Sequence, residues 1–163
     1  MKKNKNQPVV QTRSKTSRRY QMVGFLIAVL SGALMSIQGV FNTQVTKASG
    51  IWLASGFVQL TALAVCLGAW FIKERTPVAS LFAVQPKYML LGGVIGAFIT
   101  ITVIKAMEML GPAKAVMFIV ISQLIVAYVI ELFGVFGVEK EPFEWRKVVG
   151  MVIAIIGVIL FKL

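Results

Sequence analysis

Five polar side chains stand in stretches of this 163-residue chain that are otherwise apolar: the amides Gln38, Asn42, Gln59 and Gln123 and the carboxylate Glu131. In hydrocarbon each such group is costly, so it turns toward a bundle interior, a partner helix or a water-filled path. Gln38 and Asn42 are four residues apart and share one helical face, with Ser31 one heptad back, while Gln123, Ala127 and Glu131 form a stripe of their own. Amides converging on one cavity offer donors and acceptors to a small polar solute, and an intramembrane carboxylate can carry a proton or bind a cation. Substrate contact by Gln38, Asn42, Gln59 and Gln123 and ion coupling by Glu131 are the chemistry this pattern predicts. The competing use of each amide is a hydrogen bond between helices, worth about 0.6–2 kcal/mol. Lys105 and Glu108, three apart, read as a local ion pair, and Cys66 as a small buried apolar residue.

Other chemistries lack their parts. The chain has no His, no Asp and one Cys, so neither a His/Cys metal site, nor an intrachain disulfide, nor a His-dependent catalytic triad can be assembled. The expectation is a protein that is not an enzyme and has neither metal nor cofactor.

The elements that must carry these residues follow from composition. Hydrophobic side chains make up 58% and charged ones only 14%, with a mean hydropathy of +0.83. Soluble domains average about 45–50% apolar and 25% charged, so an all-α integral membrane protein is predicted. Five apolar stretches, at about 22–43, 51–72, 88–110, 113–136 and 146–163, read as transmembrane helices. Trp52 and Trp70 bracket the second, about 27 Å apart at helical rise, in the place of two aromatic belts. Trp145 marks the start of the fifth, which is short and needs Arg146, Lys147 and Lys162 to snorkel. Leu110-Gly111-Pro112-Ala113 predicts a tight hairpin between the third and fourth spans, whereas the second and third are joined by a longer segment with an apolar patch at 81–84. Small residues recur at Gly24, Ala28, Gly32 and Ser36, at Gly92 and Gly96, and at Gly150, Ala154 and Gly157. They read as packing faces, first within one bundle and second between chains.

A net charge of +11 invites a nucleic-acid reading, but no motif or folded basic domain supports one, and no nucleic-acid partner is expected. Placement in a membrane explains the charge better. With the amino end inside, thirteen basic residues lie on the cytoplasmic side against four elsewhere, Lys47, Lys105, Lys114 and Lys162. The predicted topology is therefore N-terminus in and C-terminus out, with 22–163 as the membrane domain and 1–21 as a disordered basic cytoplasmic tail held to anionic lipid. A cleavable leader ending near Ser31-Gly32-Ala33 is the rival reading, and the apolar run continues past it.

Several of these features together resemble one family. Ser36-Ile37-Gln38-Gly39 with Asn42, Gly92-Gly93 with Gly96, Leu110-Gly111-Pro112-Ala113, Gln123, Glu131-Leu132-Phe133-Gly134 and the helix from Gly150 to Gly157 are similar, in order and spacing, to the YdcZ-like family, the five-helix branch of the drug/metabolite transporter superfamily. Glu131 stands where that family leads one to expect Asp, and Gln59-Leu60 replaces a small residue of the second span. The resemblance covers about residues 24–161. It implies a multi-pass protein of the inner (plasma) membrane that exports a small molecule, built as half of a secondary transporter. It also implies a dimer with a second five-helix chain of opposite orientation. The strong charge bias disfavours insertion of this one sequence both ways, so the partner is expected to be separately encoded. The alternative is a non-transporting membrane assembly factor or regulator, with the amides serving as glue between helices.

Overall fold

The computed structural model describes the backbone of residues 9–162 and the side chains of residues 18–161. Among the described residues every regular element is helical: α1 (Val9–Ser49), α2 (Ile51–Ala69), α3 (Ala79–Ala83), α4 (Gly92–Leu110), α5 (Pro112–Phe133) and α6 (Trp145–Lys162). Four helical stretches are long and apolar enough to cross a membrane: Arg18–Ser49, Ile51–Glu74, Lys87–Leu110 and Pro112–Phe133. The sixth helix carries Arg146, Lys147 and Lys162 within its 18 residues and is not among them.

Two helix ends differ from the sequence reading. The first helix begins at Val9, so part of the stretch read as a tail is helical, while residues 1–8 lie outside the described residues. Once a span has nucleated the helix, extending it through Arg, Lys and Gln costs little. The fourth span was expected to reach residue 136, yet α5 stops at Phe133 because Gly134 turns left-handed (φ 64) and a 3₁₀ turn, Val135–Gly137, follows. Elsewhere the expected segments keep their places with altered ends. A π-helical turn, Trp70–Glu74, closes α2, a 3₁₀ turn, Lys87–Leu91, opens α4, and the apolar patch at 81–84 forms most of the short α3. The Trp70 indole N–H donates to the Thr76 carbonyl at 3.1 Å, tying that helix end to its loop.

The chain divides into two compact units, Met1–Gln38 and Gly39–Leu163. In the first, the described side chains are exposed except for half-buried Ser36, whose hydroxyl donates to the Gly32 carbonyl at 3.1 Å. The second contains the end of α1 and all later helices, with α4 packed against both α2 and α5, and α5 against α6.

Two corners organise this second unit. A single residue, Gly50, separates α1 from α2, and a single residue, Gly111, separates α4 from α5. Both adopt φ 80 with ψ near 157, a conformation open to glycine and strained for any other residue. The hydrogen bonds repeat as well. Gly50 N–H donates to Thr46 and Gly111 N–H to Met107, while Ala54 and Ala115 donate back to the two glycine carbonyls at 3.1 Å. Ala54 and Ala115 are buried, as small residues must be where two helices of a hairpin diverge from a one-residue corner.

Candidate functional site

Apart from Tyr128, the buried side chains described in the second unit lie toward the corner end. Ile104 and Met107 of α4 are enclosed there with Asn42, Thr43 and Thr46 of α1, Ala54 and Ser55 of α2, and Ala115 of α5. Gly39 lets α1 come close to α4: a Cβ at that position would lie 2.4 Å from Met107 Cε and 2.8 Å from its Sδ. The hydroxyl of Thr43 donates to the Gly39 carbonyl at 2.8 Å, whereas Thr46 Oγ1 and Ser55 Oγ are buried without a partner. Beside this core an open cleft of about 360 Å³ is lined by Thr43, Gln44 and Lys47 of α1, Met107 and Glu108 of α4, and Pro112. Lys47 Nζ donates to Gln44 Oε1 at 3.3 Å and, among the described residues, has no carboxylate within pairing distance.

At the far end of α5 a second arrangement forms around one ammonium. Lys147 Nζ lies 3.2 Å from Glu131 Oε2, 3.1 Å from Glu141 Oε2 and 3.9 Å from Glu144 Oε1. The turn at Gly134 sends the chain back along α5, so that Glu141 N–H donates to the Glu131 carbonyl at 2.9 Å and Glu144 N–H to the Tyr128 hydroxyl at 3.2 Å. Tyr128 is buried, and its ring centroid lies 5.8 Å from the Lys147 ammonium. A cleft of about 250 Å³ opens here, with Leu124, Ala127, Tyr128 and Met151 on its apolar side and Glu131 and Lys147 at its polar edge.

The sequence-predicted site residues meet different fates. Glu131 does stand on one stripe with Ala127, but it is a paired carboxylate with 43% of its side chain exposed, where the sequence suggested an isolated acid in hydrocarbon. Gln59 donates to Thr100 Oγ1 at 3.4 Å, joining α2 to α4. Asn42 is buried, while Gln38 and Gln123 are exposed. None of Asn42, Gln59 and Gln123 is among the residues that line these two clefts. Lys105 and Glu108 make no ion pair with each other; the ion pairs among the described residues all belong to Lys147. Cys66 is exposed where a buried residue was expected. At the glycines of the small-residue ladders there is open space among the described residues: a Cβ at Gly24, Gly32, Gly92, Gly93, Gly96, Gly150 or Gly157 meets nothing within 4 Å. Lys147, Tyr128 and the corner cleft escape sequence reasoning, since their partners depend on the course of the 134–144 loop and on helix rotation. Gly39 carried a weak signal, a small residue one turn before the polar pair Asn42-Thr43.

Long apolar helices and few charges define an all-α, multi-pass membrane protein. Residues 23–160 match the family described as "Putative inner membrane exporter, YdcZ". The chain belongs to that family and is a multi-pass protein of the inner membrane. A search of curated proteins and a search of solved structures find no match.

Proposed function

We propose that this chain is one half of a secondary transporter that exports a small molecule, and that it works as a dimer with an inverted partner in the manner of the drug/metabolite transporters. The observation that carries the reading is the open glycine positions of α4 and α6, together with two clefts that both open to the surface. Small residues let helices approach closely in lipid, and a solute path needs walls on every side. A second five-helix chain supplies both. In this reading α6 is the fifth span, its cations snorkelling, and the carboxyl end is outside. Exposed Gln123 contacts substrate once the partner is in place, and Asn42 and Gln59 brace the polar side of the path. Glu131 couples flux to a proton or cation by exchanging it against the Lys147 ammonium.

The bond from Gln59 to Thr100 favours the second reading, a non-transporting assembly factor whose amides only join helices. Flux discriminates between the two. Proteoliposomes holding this chain and an inverted partner should move solute, and Glu131→Gln should remove the pH dependence while leaving the protein folded. Absence of flux with both chains present would overturn the transporter reading. Robust flux by this chain alone in one measured orientation would overturn the inverted pair.

A further inference from the structure

The corner cleft has a chemistry of its own. Lys47 and Glu108 hold equivalent positions, each three residues before its corner glycine, and both face the same space of about 360 Å³. They do not pair with each other. Glu108 lies in the last turn of α4, where the partial negative charge of the helix end opposes a carboxylate, and among the described residues no Lys or Arg pairs with it. Among the described residues, the neutral Gln44 oxygen is the one hydrogen-bond partner of Lys47. Beside these charges, Thr43 Oγ1 already uses its proton on Gly39, which leaves its lone pairs to accept. Gln44 accepts from Lys47 and keeps its two amide hydrogens to donate. The cleft thus offers acceptors and a negative charge together with donors and a positive charge.

We infer that this cleft binds a small zwitterion, a molecule with an ammonium and an anionic group a short aliphatic body apart. Glu108 and Thr43 take the ammonium, and Lys47 and the Gln44 amide take the anion. Ligand pockets run from about 300 to 1,000 Å³, so the volume suits a solute of amino-acid size. Exposed single charges hold a free ion weakly, and joining both ions in one molecule makes the second contact intramolecular. This assignment rests on the exporter reading, in which the cleft is a substrate mouth. The same ammonium-and-anion chemistry occurs in a free amino acid and in a phosphoethanolamine lipid headgroup.

The test uses the full chain in nanodiscs of phosphatidylglycerol, which carries no amine. L-alanine and O-phosphoethanolamine should bind saturably, about ten-fold tighter than ethanolamine or acetate, each of which satisfies one end. Lys47→Met and Glu108→Gln should each remove that advantage, and the exchanged pair Lys47→Glu with Glu108→Lys should restore it, which a general loss of folding would not allow. If free zwitterions fail but phosphatidylethanolamine discs stabilise the protein in a Glu108-dependent way, the site stands with lipid as its source. Ethanolamine binding as tightly as the zwitterions, binding unchanged in the doubly neutral variant, or no saturable effect in either arm overturns the inference. Zwitterion binding without flux leaves the site standing and sinks the exporter reading; flux of another solute without zwitterion binding does the reverse.

Discussion

The corner end of the second unit and the junction of α5 with α6 are built by different forces. Around Ile104 the helices meet through one-residue corners, buried alanines and the close approach at Gly39, so shape does the holding. Around Lys147 the contact is made by three carboxylates on one ammonium and by a loop pinned to Tyr128, with the charged side chains a third to a half exposed. In lipid the apolar surface has no water to escape, so dense packing with small residues is what can stabilise the first region. At a helix end reached by headgroup water, charge is affordable and screened. The corner end is therefore the rigid part of this unit, and the junction is the part that can loosen at little cost.

The sharpest way to break that contrast is Ile104→Ala. Ile104 is fully buried, and its loss should cost about 2 kcal/mol, the low end for such truncations because the unfolded helices remain in an apolar phase. Ile153→Ala on α6, 63% exposed, should stay within about 0.5 kcal/mol. Reversible unfolding in mixed detergent reads both, and equal costs would show that the corner end is no better packed than the rest.

Next in size, Gly111→Ala forces a side chain into φ 80 with ψ 158, where no atom crowds it, so its cost of about 1–3 kcal/mol is pure backbone strain. Gly157→Ala, with open space and ordinary helical backbone, should be neutral. A neutral Gly111→Ala would remove the corner from the account. Tyr128→Phe should then cost about 1 kcal/mol through the lost hydrogen bond with Glu144 and speed proteolysis after Lys140. Unchanged cleavage would mean that the loop is held elsewhere.

Smaller still, Lys147→Met should free the same loop, and high salt should loosen the wild-type junction but not the variant. A salt response that survives in the variant would show that another pair holds the loop. Among the variants that remove a contact, the smallest loss is expected from Gln59→Leu, about 0.6 kcal/mol for one long interhelical bond. A loss several times larger would place Gln59 at the centre of the packing and make α2 part of the rigid region.

What the sequence determined by itself is local. Hydrophobic length places the apolar helices, because a backbone in hydrocarbon must satisfy its own hydrogen bonds, and Gly111-Pro112 marks a corner, because one residue can turn left-handed and the other can only begin a helix. The tertiary structure alone decided the partners. Nothing in the sequence pairs Gln59 with Thr100 or brings Lys147 to Glu131, since the first depends on how two helices are rotated and the second on a turn at Gly134 that shortens α5. It likewise left open space at the ladder glycines and closed α1 on α4 at Gly39. A helix apolar on every side carries no periodicity to say which face meets a neighbour, so those choices are made only when the helices pack.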